Sequence, residues 1–352
     1  MAKQAASETA RAPLSLYRKY RPLSFKDVLG QDHVVSILKA AIENGKVAHA
    51  YIFAGRRGTG KTSMARIFAH ALDTAEEDIY EMDAASNRGI DEIRQLRDGV
   101  STLPFNSAYK FYIIDEAHAL TKDAWGALLK TLEEPPSHVI FVLATTELDK
   151  VPETIISRCQ VFGFTNPTIE VLKKMVLDVA KKEGAQIEPA AAELVALMGD
   201  GSFRDTLGIL QKVLTLSSDT KLTEEEVAKV VGAPSGELVN EFLEAVALKQ
   251  PGEAIAAFHR AIAAGSQPAV FIMLAMQKVR GILLLRFLPK AADSLAEQFS
   301  QDDITYLTDL SGAKGAAINA EVLAQLISAY VETARAPLPQ VPLELALYRL
   351  FA

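Results

Sequence analysis

The chain has 352 residues, 49% of them hydrophobic and 23% charged, which is ordinary globular composition with room for two or three domains. With 37 basic and 44 acidic residues its net charge is -7, which excludes a uniformly basic nucleic-acid binder but allows a local basic surface. The single cysteine, Cys159, excludes an internal disulfide and a cysteine-cluster metal site. We find no secretory signal and no uncharged apolar run of about 18 residues, so we expect a cytoplasmic protein without a membrane partner.

The N-terminal half of the chain alternates apolar runs with helix-length segments. Residues 1–14 are polar and alanine-rich and predict a disordered lead-in. Residues 15–165 predict an α/β domain in which a mainly parallel sheet is covered by helices on both faces. The runs predicted to be strands are AYIFAG, DIYEMDA, KFYIIDEA, HVIFVLATT and QVFGF.

Strand patterns largely disappear in the rest of the chain. Residues 166–233 predict a small helical domain, and the segment GAPSG at 232–236 marks a boundary by its Gly, Pro and Ser content. Residues 234–352 predict a larger all-helical domain, with breaks at KQPG, GSQP and LPKAA.

The segment GRRGTGKT follows the first strand and matches the phosphate-loop pattern G-x-x-x-x-G-K-[ST]. Its glycines let backbone N–H groups surround phosphate oxygens, and the next helix adds its positive N-terminal end. Lys61 is expected to reach the β- and γ-phosphates of a nucleotide, and Thr62 to ligate Mg²⁺. The predicted nucleotide-binding residues here are Gly55, Arg56, Arg57, Gly58, Thr59, Gly60, Lys61, Thr62 and Ser63.

Two further strands end in polar residues. Asp115, in FYIIDEAH, suits a direct or water-mediated contact to Mg²⁺, and Glu116 suits the base that orients the attacking water. The sequence does not assign a functional role to His118. Thr145 and Thr146 end the next strand, where a hydroxyl can sense the γ-phosphate or the water, although strand propensity also explains threonines there.

Two arginines have both a functional and a structural interpretation. Arg158 should project from the edge of the α/β domain, where it could act in trans on a neighbouring subunit, but spacing alone favours a surface ion pair. Arg204 begins a helix in the small helical domain. It either contacts phosphate, coupling nucleotide state to the interdomain angle, or forms a capping salt bridge with Asp200 or Asp205.

Several segments, in order, carry a family resemblance. They closely resemble the ATPase subunits (gamma/tau) of the bacterial replicative clamp loader, in the AAA+ superfamily, from about residue 15 to about residue 214 and more loosely beyond. These segments are YRKYRPLSFKDVLGQDHVVSILKAAIENGKVAHAYIFAGRRGTGKTS, DAASNRGIDEIRQLRD, YIIDEAHALTKDAWGALLKTLEEPP, LATTELDKVPETIISRCQ and GSFRDTLGIL.

The resemblance implies an architecture and residue roles. The architecture is an AAA+ core at 15–165, a helical lid at 166–233 and an oligomerising all-α collar at 234–352. Lys61, Thr62, Asp115 and Glu116 match the phosphate-loop and acidic-pair positions. The further implied roles are Thr146 (less readily Thr145) as sensor 1, Arg158 in SRC as the arginine finger acting in trans, Arg204 in GSFRD as sensor 2, and Val28 and Gln31 beside the adenine.

The implied activity is ATP hydrolysis, with Mg²⁺, by a motor subunit that opens a sliding clamp and releases it on primer–template DNA. The implied partners are other loader subunits in a spiral with several copies of this chain, the clamp, and the DNA backbone. DEIRQLRDGVSTLPF is the predicted clamp-facing segment. Candidate DNA contacts, with solvated helix faces as the alternative, are Asn87, Arg88, Arg94 and Lys122.

One segment departs from the family pattern. Members usually carry zinc-binding cysteines just after the phosphate-loop helix, and here that place reads HALDTAEEDIYEMD, with no cysteine. No zinc is therefore expected. The helix should end at about Leu72, and a strand should begin at Asp78 or Ile79.

Other assignments stay open at this point. A small subunit of an archaeal or eukaryotic-type clamp loader also uses SRC, whereas a Holliday-junction motor would not carry it in this context. The non-hydrolysing partner subunit of the bacterial loader has a degenerate phosphate loop. A nucleotide-gated scaffold with negligible turnover is the alternative from a different class, and the intact Glu116 argues against it.

Overall fold

The computed structural model describes residues 14–87, 89–216, 221–288, 295, 299, 301–312 and 317–351. The predicted lead-in, apart from Leu14, therefore lies outside the described residues. The chain divides into two compact units: the first runs to Val171 and includes Gly201–Gly208, and the second comprises Leu172–Asp200 and the chain from Ile209 onward. The division into three domains stays a prediction.

The first unit is built on a five-stranded sheet in the order β2-β3-β4-β1-β5. All neighbouring strands are parallel, as the alternation of strand and helix patterns predicts. Each predicted apolar run forms one strand. The strands are β1 (Ala50–Ala54), β2 (Ile79–Asp83), β3 (Lys110–Asp115), β4 (Val139–Thr145) and β5 (Gln160–Gly163).

Helices cover both faces of this sheet, so the central strands are apolar along nearly their whole length. On one face Ile52 packs with Trp125 and Leu128, and on the other Tyr51 and Phe68 share a second core. The helices of this unit are α1 (Leu16–Lys19), α2 (Asp32–Glu43), α3 (Lys61–Ala71), α4 (Ile90–Val100), α5 (Lys122–Glu133) and α6 (Glu153–Ile156). Short 3-10 helices lie at Phe25–Asp27, Glu76–Asp78, Ala117–Ala119 and Leu148–Lys150.

The acidic link between α3 and β2 is a compact turn. As predicted, α3 ends at Ala71 and β2 begins at Ile79. Arg66 joins both ends of the link, because its guanidinium contacts Glu81 at 2.6 Å and Glu76 at 3.2 Å. These two ion pairs tie the link to α3 and to β2.

The second unit is mainly helical. Two helices, α7 and α9, begin in the first unit and continue into the second. The predicted breaks at KQPG and GSQP fall between helices, and a two-residue parallel pair, β6 (Gln186–Ile187) with β7 (Lys221–Leu222), was not predicted. The helices are α7 (Ile169–Lys182), α8 (Pro189–Met198), α9 (Phe203–Leu216), α10 (Glu224–Val231), α11 (Gly236–Ala247), α12 (Pro251–Ala263), α13 (Pro268–Phe287), α14 (Gln301–Ser311), α15 (Ala320–Thr333) and α16 (Val341–Phe351).

The long helix α13 lies in the core of the second unit. By length and composition it could cross a membrane, and half of its most apolar stretch is buried within the protein. Its lysine, Lys278, is buried and donates to Asp303 at 2.6 Å and to Asn240 at 2.7 Å. A buried charge paired in this way is typical of a core helix in a globular domain.

Asp78 ties the acidic link to the loop before β3. Its carboxylate is fully buried and accepts hydrogen bonds from the backbone N–H groups of Phe105 (2.7 Å) and Asn106 (3.0 Å). Burial alone would raise the pKa of Asp78, but these N–H groups and Ser107 outweigh burial and hold the pKa below its ordinary value. The loop is thus anchored by an ionised side chain.

Replacing Asp78 by Asn should lower the free energy of unfolding by roughly 1.5–3 kcal/mol, because hydrogen bonds to a charged acceptor are lost. The pKa of Asp78 is lower in the folded than in the unfolded state. Its contribution is therefore complete above the unfolded value and declines as pH falls below about 4. Urea unfolding at neutral and acid pH measures both effects. Glu77→Gln, at an exposed neighbour, should be neutral, and a deficit of Asp78→Asn that persisted undiminished in acid would contradict this account.

Candidate active site

The loops after three strands meet at one edge of the sheet. Because β4 pairs in parallel with both β1 and β3, the carboxyl ends of these strands lie side by side. A cleft of about 510 Å³ opens there. It is lined by Arg56, Arg57, Ala85, Glu116, His118 and Thr146.

The loop after β1 depends on glycine at position 58. Gly58 has a φ of +77°, and a Cβ there would lie 1.9 Å from the Ser202 hydroxyl oxygen. The Phe203 N–H donates to the Gly58 carbonyl at 3.0 Å. The segment that carries Arg204 therefore packs directly on the phosphate loop.

Lys61 is buried at the first turn of α3, with 6% of its surface exposed. Its ammonium group donates to the carbonyls of Gly55 (2.7 Å) and Arg56 (2.9 Å). Burial lowers the pKa of Lys61, and Arg204 adds to this, while Glu116 and Asp115 oppose it. The site thus holds a poorly solvated cation that an anionic ligand would stabilise.

Thr62 and Asp115 form a direct pair. The Thr62 hydroxyl donates to Asp115 Oδ2 at 2.7 Å, across 53 residues of sequence. A hydroxyl and a carboxylate oxygen side by side are ligands that suit Mg²⁺. The two predicted metal ligands therefore meet in the structure.

Glu116 has an unusual backbone. Its φ is +48°, in the left-handed region that non-glycine residues rarely adopt and that is frequent at functional sites. The Thr146 hydroxyl donates to Glu116 Oε2 at 3.2 Å. Thr145, by contrast, is buried and contacts His118 at 3.1 Å. Of the two threonines, Thr146 is the one in contact with Glu116.

Arg21 joins the site, although no sequence motif singled it out. Its Nε donates to the Ser63 hydroxyl at 3.0 Å. Burial lowers the pKa of Arg21, and the positive charges of Arg66 and Arg204 add to this, while Glu81 opposes it. An arginine in the basic segment YRKYRP carried no local signal, because only folding brings it to α3.

Arg204 lies over an aromatic ring. Its guanidinium carbon is 5.8 Å from the ring centroid of Tyr17, a distance typical of a cation–π contact. Because the N–H of its neighbour Phe203 bonds to the Gly58 carbonyl, Arg204 lies on the phosphate-loop side of the first unit.

The two residues predicted to lie beside the adenine contact other parts of the first unit in the structure. The buried Gln31 donates to the Thr165 carbonyl at 2.7 Å and accepts from the Thr165 N–H at 3.2 Å. Val28 is half-buried and packs against the core on that face. Gln31 thus ties the start of α2 to the chain after β5.

Arg158 forms an ion pair within its own chain. Its Nη2 contacts Glu133 at 2.8 Å, its Nη1 donates to the Thr154 carbonyl at 2.7 Å, and its side chain is 35% exposed. It is a surface ion pair, the structural interpretation that the position of Arg158 in the sequence favours by itself. Arg158 does not line the cleft of its own chain.

The candidate DNA contacts are exposed near helix starts. Asn87 precedes α4 and Lys122 opens α5, while Arg94 pairs with Asp91 at 3.2 Å within α4. Arg88 lies outside the described residues. Because α4 and α5 follow the parallel strands β2 and β3, both helices start at the sheet edge that carries the cleft.

Within the part of the chain that the structure describes, no group of three or more His, Cys, Asp or Glu side chains could hold a metal ion. Cys159 is half-buried, and burial raises the pKa of its thiol to about 12. Such a thiol is a poor ligand, since metals bind the thiolate.

Replacing Gly58 by Ala should destabilise the protein by roughly 1–3 kcal/mol and weaken nucleotide binding, because the new Cβ overlaps Ser202. Gly60→Ala is the matched control: it too has a positive φ, +101°, but no neighbour within 4 Å. Adding Ser202→Gly should restore part of the loss for Gly58→Ala and none for Gly60→Ala. Thermal unfolding and nucleotide titration measure both, and equal rescue of the two variants would contradict the steric explanation.

Two family models match the chain. One, described as DNA polymerase III, delta subunit, matches residues 30–89 and 73–168. The other, described as DNA polymerase III subunits gamma and tau domain III, matches residues 222–352. Together they cover most of both units.

The curated relatives are also gamma or tau subunits of DNA polymerase III by name. The tau subunit of Bacillus subtilis DNA polymerase III is 39% identical over 78% of this chain and 52% of that protein. The gamma/tau subunit of Mycobacterium tuberculosis is 33% identical over 96% of this chain and 62% of that protein. The chain thus spans between half and two thirds of the length of these relatives.

Solved structures show the same fold. The RuvB Holliday junction branch migration motor of Thermotoga maritima matches with a TM-score of 0.52 at 24% identity, over 64% of this chain and 79% of that one. At this identity the likeness concerns the AAA+ fold alone. By its sequence matches, the chain belongs to the family of gamma and tau subunits of DNA polymerase III, clamp-loader proteins with an AAA+ fold.

Proposed function

We propose that the chain is an ATP-hydrolysing motor subunit of the replicative clamp loader, which opens the sliding clamp and releases it on primer–template DNA. The observation that carries this proposal is the meeting of Thr62 with Asp115 and of Thr146 with Glu116 beside an intact phosphate loop. Membership of the gamma/tau family supports the replicative context. Such a role implies a cytoplasmic location.

ATP and Mg²⁺ are the proposed ligands of the cleft. Thr62 and Asp115 would hold the metal ion through oxygen atoms. When bound, Mg²⁺ would neutralise charge that develops on the β- and γ-phosphate oxygens. Lys61 would exchange its contacts to the carbonyls of Gly55 and Arg56 for phosphate oxygens, which relieves its poor solvation. Since Cys159 is the only cysteine, we expect no zinc.

Glu116 would polarise the attacking water as general base. The hydrogen bond from Thr146 orients its carboxylate, so a shift of the Thr146 hydroxyl toward the γ-phosphate would change the direction in which Glu116 accepts a proton. Arg204 and Arg21 would add positive charge beside the phosphates. Val28 and Gln31 would shape the adenine side by fixing the backbone around it.

Arg158 would complete the site of a neighbouring copy. It has to leave Glu133 to do so, and an exposed ion pair of this kind contributes no more than about 1 kcal/mol. An arginine finger lowers the barrier to phosphoryl transfer by several times that amount. The exchange is therefore favourable once subunits assemble, and the isolated chain would hydrolyse ATP slowly.

Other loader subunits, and further copies of this chain, would bind through the helical C-terminal region. Helices α15 and α16 pack on each other and expose apolar side chains. Surfaces of this kind are common at subunit interfaces. The exposed residues are Ile327, Val331, Leu345 and Tyr348.

The DNA backbone would lie along the helix starts of the first unit. The N-termini of α4 and α5 carry partial positive charge and exposed backbone N–H groups, which suit phosphate. Asn87, Arg94 and Lys122 would add side-chain contacts, and Arg88 keeps its predicted role without a structural description. Recognition of this type is independent of base sequence.

The clamp would bind the loop after α4, at the end of the predicted clamp-facing segment. Leu103 and Phe105 are 76% and 77% exposed, although both are large and apolar. The loop is nonetheless held in place, because Asp78 accepts the backbone N–H of Phe105. A rigid loop with two exposed apolar side chains suits an apolar pocket on a protein partner.

Replacing Arg158 by Ala should lower ATP turnover on the order of 10³-fold in the loader assembled with clamp and primed DNA, and leave nucleotide binding intact. Arg158→Lys should recover little, because a lysine lacks the planar fork. Loaders that contain both Arg158→Ala and Lys61→Ala chains should recover part of the turnover. At some of their interfaces the Arg158→Ala chain supplies an intact phosphate loop and the Lys61→Ala chain supplies an intact arginine finger. Full turnover by Arg158→Ala in the assembled complex would refute the trans role. If clamp and primed DNA did not stimulate ATP turnover by the parent loader, the alternative of a nucleotide-gated scaffold would be favoured.

Replacing Leu103 or Phe105 by Ser should weaken clamp binding by about 10-fold each, the loss expected for an apolar anchor at an interface. ATP hydrolysis without clamp should be unchanged. Leu23→Ser is the matched control, because Leu23 is 80% exposed in the same unit but lies outside the predicted clamp-facing segment. Surface-bound clamp titrated with each variant gives the affinities, and unaltered binding by both loop variants would move the clamp to another surface.

A further inference from the structure

His118 is a nearly buried side chain in the cleft that the proposed mechanism leaves unused. It lies in the 3-10 helix Ala117–Ala119, directly after Glu116, and its side chain is 16% exposed. Its Nδ1 is 3.1 Å from Thr145 Oγ1 and 3.5 Å from Glu116 Oε2, and its Nε2 is 3.3 Å from Glu147 Oε1. The imidazole therefore touches both the base and the segment that follows β4.

The hydrogen bonds around Thr145 and Glu147 fix the position of the imidazole. Thr145 is fully buried, and its hydroxyl oxygen accepts the Glu147 N–H at 3.0 Å. A second lone pair on this oxygen can accept an Nδ1–H from the imidazole at 3.1 Å, and the same Nδ1 lies 3.5 Å from Glu116 Oε2. The other ring nitrogen, Nε2, lies 3.3 Å from Glu147 Oε1, and Lys150 contacts the second carboxylate oxygen of Glu147 at 2.6 Å.

These contacts join the 3-10 helix that follows β3 to the segment at the end of β4, two parts of the cleft that are distant in sequence. Thr145, Glu147 and His118 fix one another, and Thr146 between them donates to Glu116. The Glu116 carboxylate thus lies between the Thr146 hydroxyl and the Nδ1 edge of the imidazole. The Glu116 backbone is in the left-handed region, and these two contacts to Oε2 limit the direction of its side chain.

We propose that His118 is a positioning residue that fixes the Glu116 carboxylate relative to the Thr145–Glu147 segment through its Nδ1 edge. The proposal rests on the proposed role of Glu116 as base. His118 acts on turnover and not on nucleotide affinity, because its contacts are to Glu116 and the 145–147 segment and not to the phosphate loop. A misplaced general base lowers the rate without changing substrate binding.

Two substitutions separate the two edges of the ring. In His118→Asn the side-chain amide reaches the place of Nδ1, near Thr145 and Glu116, whereas in His118→Gln it reaches the place of Nε2, near Glu147. Turnover number and KM for ATP are measured in the assembled loader with clamp and primed DNA, and nucleotide affinity is measured on the isolated chain. His118→Ala should lower the turnover number on the order of 10-fold to 100-fold with KM unchanged. His118→Asn should recover more of it than His118→Gln.

His70→Ala is the matched control: His70 Nε2 is 3.2 Å from Glu76 in the acidic link, so this variant should hydrolyse ATP like the parent. Equal losses for the Asn and Gln variants, together with lowered unfolding temperatures, would make His118 merely structural and overturn the proposal. So would a normal turnover number in His118→Ala, or a raised KM alone. A parent loader without stimulated turnover would instead remove the proposed function, and the role of His118 with it.

Discussion

The pairing of β4 with both β1 and β3 is the contact on which the rest of the site depends. Parallel pairing places the carboxyl ends of these strands at the same edge. The phosphate loop, the acidic pair and the two threonines leave the sheet there, although they are far apart in sequence. Register matters as much as order, because a one-residue slip of β4 would exchange the buried Thr145 with Thr146.

The charges at this edge are arranged for an anion and a cation together. Lys61, Arg21 and Arg204 bring positive charge to the phosphate loop, and burial or mutual repulsion lowers the pKa of Lys61 and of Arg21. The negative charges of Asp115 and Glu116 partly offset that positive charge. A nucleotide carrying Mg²⁺ has the matching distribution, with phosphates for the cations and a metal ion for Asp115. Cations as poorly solvated as Lys61 and Arg21 are costly in the way that functional sites often are.

The backbone conformation of Glu116 and the contacts of its carboxylate together set the direction of its side chain. The left-handed backbone of Glu116 turns its side chain toward the cleft, and the hydroxyl of Thr146 and the imidazole of His118 limit its freedom. None of these contacts reaches the phosphate loop directly. Under the proposed function, turnover and nucleotide affinity would therefore be separable, because different residues would govern them.

The sequence by itself determined the parts of the protein whose signals are local. All five strands, the phosphate loop and the end of α3 follow from hydrophobic periodicity, glycine spacing and turn chemistry, which act over a few residues. Only the tertiary structure decided which distant side chains meet. Arg21 reaches Ser63 across 42 residues, and Ser202 leaves no room for a Cβ at position 58, contacts that no local pattern encodes. The choice of Thr146 over Thr145 for the contact to Glu116 also came from the fold, since strand register decides which hydroxyl is buried.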